Sequence, residues 1–273
     1  MDVSEEMSCF EWRDAPEGDF AVLGDPVSHS LSPKMHGAAY AELGLELRYL
    51  AIRVELSEFD QALDHLVALG YQGVNVTVPL KEVAFEWCES LEDGAWRYGA
   101  VNTIRLGDRA GMNTDVPGFL SVLRAHSVEP GSRVLVLGAG GSARALIRGL
   151  LDEGYAVRGW NRTRAKLDAV VEGLDIEVLD GIDVRDCEAV VNATSASLGG
   201  FDLPVEWSQA SDGCLAFDLA YGKELSPFLR GASGRGLPVT DGLPMLVEQG
   251  ALAFEWWLGR PAPRTAMLRS VGL

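Results

Sequence analysis

Lysine is nearly missing from this chain: of 23 basic residues only four are lysine, at positions 34, 81, 166 and 223, against 40 acidic residues and a net charge of -17. An acidic surface repels phosphate backbones and anionic lipid headgroups, which disfavours both nucleic acid and membrane as partners. Any anionic ligand must then be met by local cations, hydroxyls or helix N-termini. Cysteine is also sparse. Cys9, Cys88, Cys187 and Cys214 stand far apart with no C-x-x-C pair and no interleaved histidines, which argues against a zinc site and a disulfide framework, so no metal is predicted. No apolar run approaches the roughly 20 residues of a membrane span, and no signal-peptide pattern opens the chain. These absences predict a soluble cytoplasmic protein. Its 273 residues can bury a sizeable core in one large or two ordinary domains.

A glycine turn divides the chain. Val134 to Leu137 form an apolar run, Gly138-Ala139-Gly140-Gly141-Ser142 follow, and Ala143, Leu146, Ile147 and Leu150 then recur at helical spacing. The pattern predicts strand, tight turn and helix. Glycines let a backbone approach a pyrophosphate, and a helix N-terminus offers free N–H groups with the positive end of its dipole. The spacing departs from G-x-G-x-x-G, because Gly141 follows Gly140 directly and Ala145 takes the close-packing position. Two readings stand at this point: a nucleotide site, and a merely tight strand-to-helix turn.

Before the turn, residues 1–19 are acidic and contain Pro16 and Gly18, which predicts an extension outside the core. Phe20 to Leu23 read as a first buried strand. Ser30 and Ser32 follow, with Ser32 as a helix N-cap and Pro33 at the first helical position. Ser57 is predicted to cap a second helix carrying Phe59, Leu63 and Leu66. In Gly73-Val-Asn75-Val-Thr77-Val-Pro79-Leu-Lys81 the valines share one strand face, and Asn75 and Thr77 project together from the other. Lys81 falls in the first turn of a helix, where a cation opposes the dipole, so its placement suits a ligand better than stability. Asn102-Thr103 open a further strand. Asp115 begins a helix, where an N-cap is the ordinary role of an aspartate and facing a ligand the other. The alternation of strands and helices predicts a mainly parallel sheet, with Ser30, Ser32, Asn75, Thr77, Lys81, Asn102 and Asp115 in its loops.

After the turn, Ala156 to Trp160 read as a second strand. A dinucleotide fold ordinarily ends that strand with an acid for the ribose hydroxyls. Here it ends in Asn161-Arg162-Thr163-Arg164-Ala165-Lys166: three cations around a hydroxyl and no acid, which suits a 2'-phosphate and points to NADP. Asn192-Ala193-Thr194-Ser195 and Asp218 to Tyr221 end later strands, and a long helix after Gly242 carries Gln249.

In combination, Ser30-Leu-Ser32-Pro33 with Met35-His36, Asn75-Val-Thr77-Val-Pro79-Leu-Lys81, Gly99-Ala-Val-Asn102-Thr103, Asn113-Thr-Asp115, Gly138-Ala-Gly140-Gly141, Asn161-Arg162-Thr163 and Gln249 resemble the shikimate dehydrogenase family from about Phe20 to the C-terminus. The resemblance implies an α/β fold of two parts with a cleft between them. A substrate domain would take residues 20–115 and a C-terminal helix at about 244–273, and a Rossmann-type NADP domain residues 116–243. It also implies reversible, NADP-dependent reduction of 3-dehydroshikimate to shikimate in aromatic amino-acid biosynthesis, by a monomer or homodimer. Ser30, Ser32 and Tyr221 match residues that hold the substrate carboxylate; Asn75, Thr77, Asn102, Asp115 and Gln249 match those that bond ring hydroxyls. Lys81 and Asp115 match the catalytic pair. Gly138, Ala139, Gly140, Gly141, Ser142, Asn161, Arg162, Thr163, Lys166, Thr194, Ser195 and Gly242 form the implied cofactor set. Two departures fall near the nicotinamide end: Ser197 where the family usually has glycine, and Gly222-Lys223 where a proline is common. The rival readings are a catabolic quinate/shikimate dehydrogenase, against which Arg162 and Thr163 speak, and a non-catalytic NADP sensor, which has no need of Lys81 with Asp115.

Overall fold

The computed structural model describes residues 9–92 and 94–273 and divides into two units. The first runs to Gly118 and resumes with Leu246–Leu273; the second is Phe119–Met245.

The strands of the first unit are β1 (Cys9–Glu11), β2 (Phe20–Gly24), β3 (Tyr49–Arg53), β4 (Gly73–Val76), β5 (Ser90–Leu91), β6 (Thr103–Arg105) and β7 (Ala110–Met112), in the order β1-β3-β2-β4-β6-β7-β5. Its helices before Gly118 are α1 (Ser32–Glu42), α2 (Phe59–Ala68), α3 (Lys81–Trp87), the short α4 (Ala95–Tyr98) and the start of α5 (Asp115–Ala125). β2 is central because both its faces are apolar. Phe20 and Val22 pack with Met35 and Tyr40 of α1 and with Phe254, while Ala21 and Leu23 pack with Leu63 and Leu66 of α2. A strand covered on both faces reads as a continuous apolar run rather than an alternation. β1, β3, β2 and β4 are parallel neighbours, but β6 is antiparallel to both β4 and β7.

Residues 1–8 of the predicted extension lie outside the described residues. From Cys9 onward the chain belongs to the sheet. β1 pairs with β3, Trp12 and Ala15 are buried in the core of Phe59 and Leu63, and Trp12 Nε1 donates to Glu58 at 3.0 Å. A three-residue edge strand is too short for a period of two to show in the sequence. The cap predicted at Ser57 is also absent: a 3-10 turn, Leu56–Glu58, leads into α2 with no side-chain cap.

His36 of α1 is fully buried, stacked on Tyr49 with ring centroids 4.2 Å apart, and neither ring nitrogen has a hydrogen-bond partner among the described residues. Burial pushes its pKa down from 6.5 to about 3. The folded imidazole is therefore neutral where the unfolded one has taken a proton, so the unfolded state binds more protons as pH falls. The His36 contribution is full above about pH 6.5 and declines by about 1.4 kcal/mol per pH unit below it. Urea unfolding between pH 7 and 4.5 is expected to show this slope and to lose it in His36→Leu. Equal slopes in the two proteins would refute the assignment.

The second unit contains β8 (Arg133–Leu137), α6 (Gly141–Asp152), β9 (Ala156–Trp160), α7 (Arg164–Val170), β10 (Glu177–Val178), β11 (Ala189–Asn192), β12 (Leu215–Asp218), α8 (Pro227–Gly234) and β13 (Val239–Thr240). All six strands are parallel, in the order β10-β9-β8-β11-β12-β13. The chain winds outward from β8 through β9 to β10 and then builds β11, β12 and β13 on the other side. Winding reverses between β8 and β11, and at such a reversal the loops after neighbouring strands diverge to leave a crevice at their carboxyl ends. The chain then passes through α9 (Leu243–Leu258), which enters the first unit at Leu246, and ends in α10 (Arg264–Val271). Among the described residues no helix is long and apolar enough to cross a membrane.

Candidate functional site

The antiparallel β6 and β7 shape the polar edge of the first unit. Because β6 runs against β4, its first residue Thr103 pairs with Asn75 near the end of β4 and with Met112 at the end of β7. Asn102 before β6, Asp115 after β7 and Thr77 after β4 thus come to one edge. In an all-parallel sheet Asn102 would lie at the opposite edge.

Asp115 does not serve as a cap. Asn113 takes that role, its Oδ1 accepting the Val116 N–H at 3.2 Å. The Asp115 carboxylate instead accepts Lys81 Nζ at 2.5 Å on Oδ2 and Asn102 Nδ2 at 2.9 Å on Oδ1. The Lys81 and Asp115 side chains are 22% and 18% exposed, shielded but reachable. Asn102 also donates to Thr114 Oγ1 at 2.9 Å, and its Oδ1 accepts the Thr114 N–H at 2.7 Å and the Thr103 hydroxyl at 3.1 Å. Its amide is occupied by the protein, so in this arrangement Asn102 chiefly orients Asp115. Asn75 gives both its N–H groups away as well, to Thr103 Oγ1 at 2.9 Å and the Asn102 carbonyl at 3.2 Å. Its Oδ1 accepts the Tyr49 phenol at 2.7 Å, which leaves one lone pair for a ligand hydroxyl.

Gln249 of α9 reaches the same edge. Its Nε2 donates to the Leu246 carbonyl at 2.8 Å, and its Oε1 lies 3.4 Å from Asn102 Nδ2. Gly118 permits this: a Cβ there would stand 3.1 Å from the Gln249 Cβ, tight enough to push α5 from α9. Ser32 lies inside α1 rather than capping it, and Ser30 Oγ accepts the Ser32 N–H at 3.3 Å. Ser32 is buried, and burial raises the pKa of the nearby Tyr49 phenol well above its ordinary value. Thr77 is half-buried, its N–H donating to Leu23 at 2.8 Å.

In the second unit Gly138 has φ 128°, and a Cβ on it would meet the Ala193 carbonyl at 2.9 Å, so the turn after β8 lies against the loop after β11. Gly140 and Gly141 differ: neither has positive φ, and a Cβ on either would meet nothing within 4 Å. The packing of the fold does not call for glycine there. The open space lies at the start of α6, where first-turn N–H groups lack intrahelical partners and Gly140 supplies no side-chain cap. Ala139 and the exposed Ser142 belong to the same turn.

After β9, Arg162, Thr163 and Lys166 are exposed, and among the described residues neither cation has an ion-pair partner. Arg164, the third predicted cation, is turned away, held by Asp180 and by Asp168 at 3.5 Å. Asn161 Nδ2 donates to the Thr163 carbonyl at 2.8 Å and shapes the loop. After β11, Asn192 Oδ1 accepts the Thr194 N–H at 3.0 Å and hydroxyl at 2.7 Å, with Ser195 exposed beside them. Tyr221 is half-buried in the loop after β12, and the Gly242 N–H donates to Ala220 at 3.2 Å. Among the described residues no cluster of His, Cys, Asp or Glu could hold a metal ion. This set fits a dinucleotide with an extra phosphate: an open glycine turn at a helix N-terminus, and two unengaged cations where an acid would stand.

Sequence pattern missed Tyr49, Thr103 and Thr114 in the first unit and Asn192 and Asp218 in the second. Only strand register could reveal Thr103, which gains its role by facing Asn75 across β4 and β6. Tyr49 reads as an ordinary core aromatic. Asp218 carried a signal, an acid closing an apolar strand, and it is fully buried.

Residues 22–104 match the family described as the shikimate dehydrogenase substrate binding domain, and residues 242–271 the shikimate 5'-dehydrogenase C-terminal domain. The shikimate dehydrogenase (NADP(+)) of Thermus thermophilus is 42% identical over 245 residues, covering 88% of this chain and 92% of that protein. The shikimate dehydrogenase (NADP(+)) of Natronomonas pharaonis is 38% identical over 250 residues, covering 89% and 94%. The crystal structure of the Thermus thermophilus enzyme in complex with NADP(H) and shikimate superposes with a TM-score of 0.85 at 39% identity, covering 92% of this chain and 97% of that one.

Proposed function

The chain belongs to the shikimate dehydrogenase family, and on that premise we propose that it interconverts 3-dehydroshikimate and shikimate with NADP as a cytoplasmic enzyme of aromatic amino-acid biosynthesis. It is an NADP-dependent oxidoreductase. The observation that carries the reading is the Lys81–Asp115 pair, 2.5 Å apart and braced by Asn102, in a chain whose other unit offers unengaged Arg162 and Lys166 beyond an open glycine turn.

Bound NADP supplies or removes the hydride at the ring carbon. Reduction leaves an oxygen in need of a proton, and Lys81 Nζ is the donor positioned for it, with one N–H directed at Asp115 and its remaining donors available. Oxidation runs the same proton back. Asp115 holds the ammonium in place, and Asn102 holds Asp115. Ser30 and Ser32 take the substrate carboxylate, hydroxyl donors suiting N-terminal motifs that carry no carboxylate-binding arginine, and Tyr221 matches the family's third carboxylate-binding residue. Asn75 accepts from a ring hydroxyl through its remaining lone pair, and Thr77 and Gln249 contact others. Gly138 to Ser142 receive the pyrophosphate, Arg162, Thr163 and Lys166 the 2'-phosphate with Asn161 shaping their loop, and Thr194, Ser195 and Gly242 the nicotinamide end.

The test is oxidation of shikimate or quinate by the purified protein with NADP or NAD, followed by absorbance of the reduced cofactor. Shikimate with NADP is expected to be the preferred pair. No turnover with any pair, despite NADP binding, would leave the sensor reading in its place. Preference for quinate with NAD would favour the catabolic one.

A further inference from the structure

Ser197, which stands where the family usually has glycine, is not a passive replacement. Its hydroxyl donates to Asp218 Oδ2 and accepts Asn192 Nδ2 at 2.9 Å. Asp218 is fully buried at the end of β12, and its carboxylate joins two loops. Oδ2 also accepts the Ser226 hydroxyl at 2.6 Å and Asn192 Nδ2 at 3.2 Å, and Oδ1 accepts the Ala220 N–H at 3.1 Å. On one side lies the loop of Thr194 and Ser195, already tied to Asn192 Oδ1. On the other lies the segment from Ala220 to Ser226 that carries Tyr221.

We propose that Ser197 is a positioning residue: its hydroxyl latches the loop carrying Thr194 and Ser195 to Asp218, so that this loop and the one bearing Tyr221 are set against one buried carboxylate. The proposal rests on the NADP reading above. A buried carboxylate must be met by donors, and each donor it recruits is fixed in return. Glycine at 197 would supply no side-chain donor and would free the chain at the place where the loop needs restraint. The hydroxyl therefore preorganises the loop for the cofactor, lowering the ordering cost of binding. Ser226 holds the other arm and also caps α8 by accepting the Leu229 N–H at 3.3 Å.

The readout is equilibrium binding of NADP by fluorescence titration, which needs no turnover, together with KM for shikimate. Ser197→Ala is expected to weaken NADP about five- to tenfold, a part of the roughly 12- to 150-fold that one hydrogen bond to a charged group is worth, because only the loop's ordering cost enters the binding equilibrium. The NADP-to-NAD preference should stay unchanged, because Arg162 and Lys166 are untouched. Ser197→Thr, which keeps the hydroxyl, should recover most of the affinity. Ser226→Ala is expected to raise KM for shikimate more than it weakens NADP. A twofold or smaller change in NADP affinity with Ser197→Ala would overturn the latch, as would failure of Ser197→Thr to restore it. If the unaltered protein failed to bind NADP, the cofactor reading would fall and the latch with it, a result plainly different from equal binding by both proteins.

Discussion

Lys81→Ala is expected to lower kcat for shikimate oxidation by about 10³-fold, within the roughly 10²- to 10⁴-fold range of a lost acid–base group, while KM for shikimate changes by less than about tenfold. The asymmetry follows from the geometry. Lys81 binds Asp115 in the resting protein, so on the proposed mechanism its removal takes from the reaction the proton donor and the positive charge beside a developing alkoxide. Asp115 keeps the Asn102 amide on Oδ1 at 2.9 Å, so the edge should remain folded, and an unchanged thermal midpoint would confirm it. Loss confined to KM, with kcat intact, would reassign Lys81 to substrate recognition. Loss of both together with a lower midpoint would mean that the pair is structural.

The second large effect is on cofactor choice. Replacing Arg162 and Lys166 together by alanine is expected to weaken NADP about 10²-fold, from two charge-assisted contacts of roughly 1.5–3 kcal/mol each less what solvent screening removes at an exposed site, and to leave NAD within about twofold. Both side chains are exposed and without ion-pair partners among the described residues, so their loss disturbs nothing else in the fold. The NADP affinity of the unaltered protein should also fall as salt rises, and that dependence should flatten in the double variant. An unchanged NADP-to-NAD ratio would place the 2'-phosphate elsewhere. Arg164→Ala is the natural control, because Asp180 and Asp168 already engage that guanidinium.

The site was only partly legible, and the boundary runs between residue type and residue partnership. The lone lysine in the first turn of α3, the paired polar positions at the end of β4 and the cations after β9 all stand out against local patterns. What those side chains do depended on neighbours far along the chain. Asp115 stands open in the sequence between a cap and a ligand-facing role, and the structure gives the cap to Asn113, which accepts the Val116 N–H. Three cations looked equivalent until Asp180, 16 residues on, drew Arg164 aside. Asn75 and Asn102 looked like ligand donors, yet their amide hydrogens are turned to Thr103, Thr114 and Asp115.

Local periodicity was enough to predict alternating strands and helices in a mainly parallel sheet, the glycine turn at the head of α6, an acid-free basic loop after β9 and the residue types gathered at strand ends. Each of these is set within about ten residues by side-chain alternation, helix spacing and turn chemistry. Register and packing decided the rest: the antiparallel β6 that brings Asn102 beside Asp115, the entry of Cys9–Glu11 into the sheet, the Tyr49 phenol on Asn75, and the Ser197 hydroxyl on Asp218. Pairings between distant segments are chosen by burial and by the need to satisfy every buried polar group across the whole molecule, and no window of neighbouring residues contains that constraint.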